Sequence, residues 1–182
     1  NLFKKIKTSK SIDAGFSELF SEELIKIPYY GTINCHAGPL PEYRGGSPLN
    51  WQIINGENKI GLSIIKMDIG IDTGKVYMTK SFPLSKNDNI ATVHTKANIL
   101  FSSMISKLLK TIKKETSAIN QDEQNAKYWH QRSDKDGEID WKNMTAKNVF
   151  NFIRALTRPY KGAYTFLNNE KIRIYSSQIP KK

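Results

Sequence analysis

The sequence predicts an α/β fold followed by a small mixed α/β unit, and three observations lead to this prediction. Strand and helix patterns alternate up to about residue 113, which is typical of layered α/β domains. Residues 60–67 are apolar on both faces, as in a central strand that is covered on both sides. Residues 89–113 carry apolar side chains three and four positions apart, which predicts one long amphipathic helix.

The first elements are short. Residues 11–14 form a candidate strand, and residues 21–27 predict a helical turn that Ser21 caps and Pro28 ends. Residues 31–36 then predict a second strand, because a β-favouring run is bounded on both sides by glycine and proline.

A loop rich in Gly and Pro follows at residues 38–46. Ser47 and Pro48 then open a helix to about residue 54, because Ser can cap a helix and Pro suits its first position. After the strand at residues 60–67, a turn precedes one more strand at residues 75–82.

The tail predicts a separate unit. Residues 115–127 are polar and are expected to form a surface connection. Beyond it we predict a helix at residues 145–156 and a hairpin of residues 163–167 and 171–175, turned at Asn168 and Asn169. We therefore expect two domains, residues 1–127 and residues 128–182.

The charge invites a nucleic-acid interpretation, but the type of basic residue weakens it. The 182-residue chain has 28 Lys plus Arg against 17 Asp plus Glu, a net charge of +11. Only five of the basic residues are Arg, which is the residue suited to bidentate contacts with phosphates and bases. We therefore interpret the charge as a solvated lysine surface that would still attract a phosphorylated substrate.

Several functional classes find no support in the sequence. The single cysteine, Cys35, excludes a disulfide within the chain and fits a reducing compartment, so we expect a cytoplasmic protein. No apolar run reaches the roughly 18 residues that cross a bilayer. Phosphate-binding and dinucleotide-binding glycine motifs are absent, and the histidines lack zinc spacing, so we expect no metal.

One group of polar residues could carry chemistry. Asn34 and His36 share a face at the end of a predicted strand, while Cys35 points to the opposite face and is expected in the core. Ligands bind beyond such strand ends in open α/β sheets. Asp72 lies between two glycines in the loop after the strand at residues 60–67. If the two strands are neighbours, Asn34, His36 and Asp72 can converge.

An amide, an imidazole and a carboxylate suit acyl transfer to a nucleophile that the substrate supplies. The amide and a protonated imidazole can stabilise a tetrahedral oxyanion. The carboxylate can hold the imidazolium and accept a proton from an attacking amine. Spacing alone also allows a structural histidine and an aspartate that serves only its own turn.

Two motifs resemble the signatures of the 10-formyltetrahydrofolate-dependent formyltransferases. Residues 34–45 read NCHAGPLPEYRG, with Pro48 and Trp51 after them, and residues 68–74 read DIGIDTG. The tail resembles the start of the C-terminal domain of methionyl-tRNA formyltransferases and sugar N-formyltransferases. It reads DGEIDW at residues 136–141, RAL at residues 154–156 and RPYKGA at residues 158–163.

The resemblance, which covers residues 11–176, implies a Rossmann-like sheet that lacks its first βα units here, followed by the start of the C-terminal domain. We therefore expect the chain, which begins at Asn1 without Met, to be a fragment. The resemblance also implies that 10-formyltetrahydrofolate is the cosubstrate and that the catalytic residues are Asn34, His36 and Asp72. It places the folate slot between two segments, Glu18, Leu19 and Phe20 on one side and Asp68, Ile69 and Gly70 on the other.

Neighbouring residues have simpler interpretations. Tyr43, Arg44 and Trp51 are expected to brace the loop and its helix, and Phe20 also suits the core. Residues 37–39 read Ala-Gly-Pro where the family more commonly has a small residue, Ser and Leu. We expect this departure to alter the acceptor side of the pocket.

The acceptor stays open between hypotheses. Our leading hypothesis is the amine of a nucleotide-linked amino sugar, which residues 46–51 and 158–163 favour. The alternative is methionyl-tRNA formyltransferase acting on charged initiator tRNA, which the basic charge favours. A third hypothesis, a basic nucleic-acid-binding module without catalysis, is supported by the charge alone. The oligomeric state is open, and a homodimer is one candidate.

Overall fold

The computed structural model describes residues 9–15, 20–111 and 118–179. The chain divides into two compact units whose segments interleave along the sequence. The first unit comprises residues 1–45, 61–81 and 98–128, and the second comprises residues 46–60, 82–97 and 129–182. The sequence-based domain boundary between residues 127 and 128 stays a prediction.

Four of the five strands described up to residue 83 agree with the predicted ones to within a residue or two, whereas a short strand at Arg44–Gly45 lies in the segment 38–46 that was predicted to be a loop. In chain order they are β1 (Ser11–Asp13), β2 (Thr32–His36), β3 (Arg44–Gly45), β4 (Lys59–Lys66) and β5 (Val76–Pro83). Four of them form a sheet in the order β1-β2-β4-β5. Strand β1 is parallel to β2, whereas β4 is antiparallel to β2.

Strand β4 is the buried centre of this sheet, as its apolar run predicted. It lies between β2 and β5, and Ile60, Leu62, Ile64 and Ile65 are each 1% exposed or less. Side chains on both faces are covered, so this strand lacks the polar alternation of a half-exposed strand. The mixed α/β fold predicted from the sequence is confirmed.

Four helices are described: α1 (Glu22–Lys26), α2 (Pro48–Ile54), α3 (Ile90–Thr111) and α4 (Ala146–Leu156). Helix α1 begins as predicted, because the Ser21 hydroxyl accepts a hydrogen bond from the Leu24 N–H. The predicted cap of α2 is wrong. Ser47 has a left-handed backbone and makes no capping bond, and its hydroxyl accepts from the Arg132 N–H instead.

Helix α3 buries one stripe of side chains at helical spacing, namely Ile90, Val93, Ala97, Met104 and Leu108. None of the helices in the described ranges is both long enough and apolar enough to span a membrane.

The second unit has its own apolar core. It is formed by Ile139, Phe152, Ile153, Leu156 and Ala163, which are contributed by the segment before α4, by α4 itself and by the hairpin. Strands β7 (Ala163–Leu167) and β8 (Glu170–Ile174) are antiparallel, and β6 (Tyr128–Trp129) precedes them in the chain. The hairpin turns at two residues with positive φ, Asn168 and Asn169, as predicted.

Candidate active site

The predicted trio converges, although the strands that carry it are antiparallel. Asn34 lies opposite Ile65 of β4, and His36 lies opposite Ser63. Strand β4 therefore ends near the amino end of β2, and the loop that follows must return along β2 to bring Asp72 to His36. The strands are neighbours, as the prediction required, but their carboxyl ends do not share an edge.

Asp72 is the centre of the cluster. Its Oδ1 accepts a hydrogen bond from Asn34 Nδ2 at 3.3 Å and lies 3.3 Å from His36 Nδ1. Its Oδ2 accepts from the backbone N–H of Gly45 at 2.9 Å. The carboxylate thus faces three donor positions, which fix its orientation.

His36 is buried, at 6% exposed, and both of its ring nitrogens face acceptors. Its Nε2 donates to the carbonyl oxygen of Tyr43 at 2.5 Å, and its Nδ1 faces the Asp72 carboxylate. A carbonyl and a carboxylate oxygen only accept, so only the doubly protonated ring can donate to both. The arrangement therefore suits the imidazolium that the proposed chemistry requires.

The loop around Asp72 is ordered by its own side chains. Asp68 accepts hydrogen bonds from the Gly70 N–H at 3.1 Å and from the Thr73 hydroxyl at 2.6 Å. A Cβ atom on Gly74 would lie only 1.7 Å from the carbonyl oxygen of Lys66, so this position requires glycine. The Asp68 carboxylate therefore organises the loop that carries Asp72.

Cys35 points away from this cluster, as the strand alternation predicted. It is 8% exposed, and burial together with the nearby Asp13 raises the pKa of its thiol to about 11. At neutral pH the thiol is protonated and is a poor nucleophile.

The predicted folate residues are only partly described. Glu18 and Leu19 lie outside the described residues. Phe20 lines a cavity of about 190 Å³ together with Leu24 and Ile27. Asp68 and Ile69 line a different cavity of about 730 Å³, beside Tyr29, Tyr30 and Tyr77. The slot between the two segments, including Gly70, stays a prediction.

The sequence reasoning missed a set of contacts behind the site. Residues 115–127 were expected to be a surface connection, yet Gln121 and Glu123 both bind the Arg44 guanidinium. Gln121 also donates to the backbone carbonyl oxygen of Asp72 at 2.7 Å. The only signal was a mostly polar segment with two Gln and three acidic residues, and this composition does not distinguish such contacts from exposure to solvent.

Arg44 itself braces the loop, as expected. Its side chain is fully buried and makes hydrogen bonds to Gln121, to Glu123 and to the Tyr128 hydroxyl. The hydrogen bond with Glu123 is the main cause that raises the pKa of Arg44. The same bond lowers the pKa of the Glu123 carboxyl. The guanidinium is thus a permanent charge inside the first unit.

Trp51 also makes bracing contacts, as expected from the sequence. Its indole N–H donates to the carbonyl oxygen of His130 at 3.0 Å, and its ring lies against Trp129. The Arg132 guanidinium lies over the same ring at 4.7 Å. The described residues contain no group of three or more His, Cys, Asp or Glu side chains that could hold a metal ion.

Two known families match successive parts of the chain. The family described as Formyl transferase matches residues 2–109, and the family described as Formyl transferase, C-terminal domain, matches residues 132–182.

Two curated relatives illustrate the similarity. The chain is 36% identical over 176 residues to a bifunctional polymyxin resistance protein ArnA from Wigglesworthia glossinidia brevipalpis, covering 96% of this chain and 27% of that protein. It is 33% identical over 177 residues to a methionyl-tRNA formyltransferase from Caldanaerobacter subterraneus, covering 97% of this chain and 57% of the relative. The chain thus spans about a quarter of the length of the first relative and about three fifths of the length of the second.

A solved structure shares the fold. WlaRD, a sugar 3N-formyl transferase determined in the presence of dTDP and 5-N-formyl-THF, superposes with a TM-score of 0.73 at 24% identity. The superposition covers 93% of this chain and 62% of WlaRD.

Proposed function

The chain belongs to the formyl transferase family, and on that premise we propose that it transfers a formyl group from 10-formyltetrahydrofolate to the primary amine of a nucleotide-linked amino sugar. The observation that carries the proposal is the contact of Asp72 with both Asn34 and His36, each at 3.3 Å. These three residue types supply donors for an oxyanion and an acceptor for a proton, and the reaction needs no nucleophile from the protein.

In the proposed mechanism the unprotonated amine attacks the formyl carbon, and the carbonyl oxygen becomes an oxyanion. Asn34 uses one N–H of its amide to bind Asp72. Its second N–H is the donor we assign to the oxyanion. Asp72 accepts the proton that the attacking amine loses, at the oxygen that also accepts from Gly45. The oxyanion then re-forms the carbonyl as the C–N bond to the folate nitrogen breaks, and Asp72 returns the proton to that nitrogen, so that tetrahydrofolate leaves and the carboxylate is regenerated.

His36 needs one rearrangement to join this step. In the described structure its Nε2 is engaged with the Tyr43 carbonyl oxygen, so it can donate to an oxyanion only after that contact opens. While the contact is closed, the imidazolium acts on the Asp72 carboxylate by charge and orientation. We propose that substrate binding opens the contact with Tyr43.

The formyl donor is supported by the family and by the ligand of one related structure. WlaRD was determined with a formylated tetrahydrofolate, and its fold covers 93% of this chain. We therefore assign 10-formyltetrahydrofolate as the cosubstrate. A cytoplasmic location fits both the folate donor and the buried, reduced thiol of Cys35.

The acceptor is where the relatives differ. A sugar amine is supported by WlaRD, whose name identifies it as a sugar formyl transferase, and by the sequence at residues 46–51 and 158–163. Charged initiator tRNA is supported by the methionyl-tRNA formyltransferase relative and by the net charge of +11. Both acceptors present a primary amine, so the same three residues serve either reaction.

The experiment uses the intact protein that carries this chain. It is mixed with 10-formyltetrahydrofolate and either a panel of nucleotide-linked amino sugars or charged methionyl-tRNA, and tetrahydrofolate release is followed. Release with a sugar that requires Asp72 supports the leading proposal. Release with tRNA alone supports the alternative, whereas no release with any amine contradicts formyl transfer by this site.

Salt provides a second discrimination between the acceptors. A tRNA that contacts many phosphates displaces counterions, so its affinity falls steeply as salt rises. A nucleotide sugar has only two phosphates and shows a much shallower dependence. Measuring KM for the acceptor between about 50 and 200 mM salt therefore separates the two substrates by the slope.

A further inference from the structure

Gln121 lies between the buried arginine and the Asp72 loop, and it uses both ends of its side-chain amide. Its Nε2 donates to the backbone carbonyl oxygens of Asp72 and Gly74, both at 2.7 Å. Its Oε1 accepts from Arg44 Nε at 3.0 Å and from Arg44 Nη2 at 2.9 Å. An amide offers two N–H donors and one oxygen with two lone pairs, so every hydrogen-bonding position of this side chain is used.

The orientation of this amide is fixed by charge. Arg44 is held from its other side by both Glu123 carboxylate oxygens and by the Tyr128 hydroxyl. A guanidinium offers only donors, so the amide oxygen of Gln121 must face it. The NH₂ group must then face the Asp72 loop, where two carbonyl oxygens receive it.

The loop needs such support at this point. Asp72 has a φ of +54°, which lies in the left-handed region that residues other than glycine rarely adopt. Its backbone oxygen is held by Gln121, and its carboxylate is held by the N–H of Gly45, the residue after Arg44. Arg44 and its contacts therefore restrain Asp72 at its backbone and at its carboxylate.

We propose that Gln121 is a positioning residue that fixes the Asp72 carboxylate against Asn34 and His36 through the backbone of the Asp72 loop. The inference rests on the proposed function, because it assigns Gln121 a kinetic effect only if Asp72 accepts the proton. The competing interpretation is that Gln121 serves only as an acceptor for the buried Arg44.

The variant Gln121→Glu separates the two interpretations. A carboxylate keeps the acceptor for Arg44 but removes both donors and places oxygen against the carbonyls of Asp72 and Gly74. If Gln121 serves only as an acceptor for Arg44, Gln121→Glu should leave kcat for formyl transfer and KM for the folate unchanged. If Gln121 positions Asp72, kcat for formyl transfer falls by about 10- to 100-fold while KM for the folate changes by less than about threefold.

A readout without substrates is available at Gly45. Its N–H donates to Asp72 Oδ2. In the intact protein labelled with ¹⁵N-glycine, the hydrogen-exchange rate of this amide reports whether Asp72 stays in place. We expect exchange at Gly45 to accelerate at least tenfold in Gln121→Glu. Gln124→Glu, at an exposed neighbour with the same change in charge, is the matched control and should alter neither readout.

The outcomes are distinguishable. Faster exchange at Gly45 together with the fall in kcat supports the proposal. Exchange and kcat within twofold of the parent, in a folded variant, overturn it. If the parent protein transfers no formyl group and exchange at Gly45 still accelerates, the proposed function fails while the positioning of Asp72 by Gln121 stands.

Discussion

His36 Nε2 lies 2.5 Å from the carbonyl oxygen of Tyr43, so the histidine of the predicted trio is held by the loop that follows it. This hydrogen bond closes the segment from His36 to Tyr43 into a loop. The other ring nitrogen of His36, Nδ1, faces Asp72. The site is thus assembled by a strand end and two loops, and small changes in the first loop should affect the imidazole directly.

The Gly38→Ala variant tests whether the contact between His36 and the Tyr43 carbonyl oxygen matters for turnover. A Cβ atom at this position would lie 2.9 Å from His36 Nε2 and 2.8 Å from Tyr43 Cβ, closer than packed atoms allow. The imidazole or the Tyr43 backbone must therefore shift, and we expect kcat to fall about tenfold or more, since a displacement of about 1 Å can cost 100-fold. Steady-state kinetics measures the effect, and thermal unfolding shows whether the variant is folded. Unchanged kcat would show that the closure at Tyr43 does not matter for turnover.

Arg44→Lys should destabilise the first unit. The guanidinium bonds Gln121, Glu123 and Tyr128 from a fully buried position, and an ammonium group cannot reproduce that planar set of donors. A buried ammonium group that cannot reach all of these partners leaves buried donors unpaired at a cost of about 1–3 kcal/mol each, so we expect a loss of about 2 kcal/mol or more in the free energy of unfolding. Denaturant titration measures it. Arg158→Lys, at an exposed arginine, is the control and should change stability by less than about 1 kcal/mol.

Glu123→Gln should lower the stability of the fold at neutral pH but not in acid. Arg44 lowers the pKa of the Glu123 carboxyl in the folded protein, so the carboxylate stabilises the fold at neutral pH. This contribution is lost as the pH falls through the lowered pKa, below the usual value of about 4.3 for Glu. Thermal unfolding of parent and variant should therefore differ at pH 7 and converge near pH 3. The exposed Glu170→Gln is the control. A difference that persists unchanged at pH 3 would contradict the assignment of the effect to the carboxylate charge.

Cys35 should be chemically silent. With a pKa of about 11, about one thiol in a thousand is ionised at pH 8. We expect iodoacetamide to modify the folded protein far more slowly than the denatured protein, and Cys35→Ala to retain kcat within about threefold. Rapid alkylation of Cys35 with loss of activity would instead place this thiol at the reacting centre.

Most of the secondary structure was predictable because each element carries a local signal. The apolar run of β4, the cap of α1 and the paired Asn168 and Asn169 each specify a structure through neighbouring residues alone. The cap of α2 failed for a non-local reason, since Ser47 bonds the backbone of Arg132 instead. Local propensity does not reveal a distant partner that competes for the same hydroxyl.

The trio was predictable in composition but not in geometry. Strand alternation placed Asn34 and His36 on one face, yet nothing in the sequence showed that β2 and β4 are antiparallel or that the Asp72 loop returns along β2. No role could be assigned to Gln121 from the sequence. Its role depends on an arginine 77 positions earlier, and a glutamine in a polar segment carries no pattern that indicates such a contact.

The proposed mechanism depends on Asp72 as the acceptor of the amine proton, and the Asp72→Asn variant removes that acceptor. Asn tolerates the left-handed backbone of this position but cannot accept a proton as a carboxylate does. In the intact protein, with the acceptor that supports turnover, we would measure the single-turnover rate of formyl transfer and the affinity for tetrahydrofolate. We expect a single-turnover rate at least about 100-fold below that of the parent, with an affinity for tetrahydrofolate within about threefold of the parent value. A single-turnover rate within about twofold of the parent would contradict it.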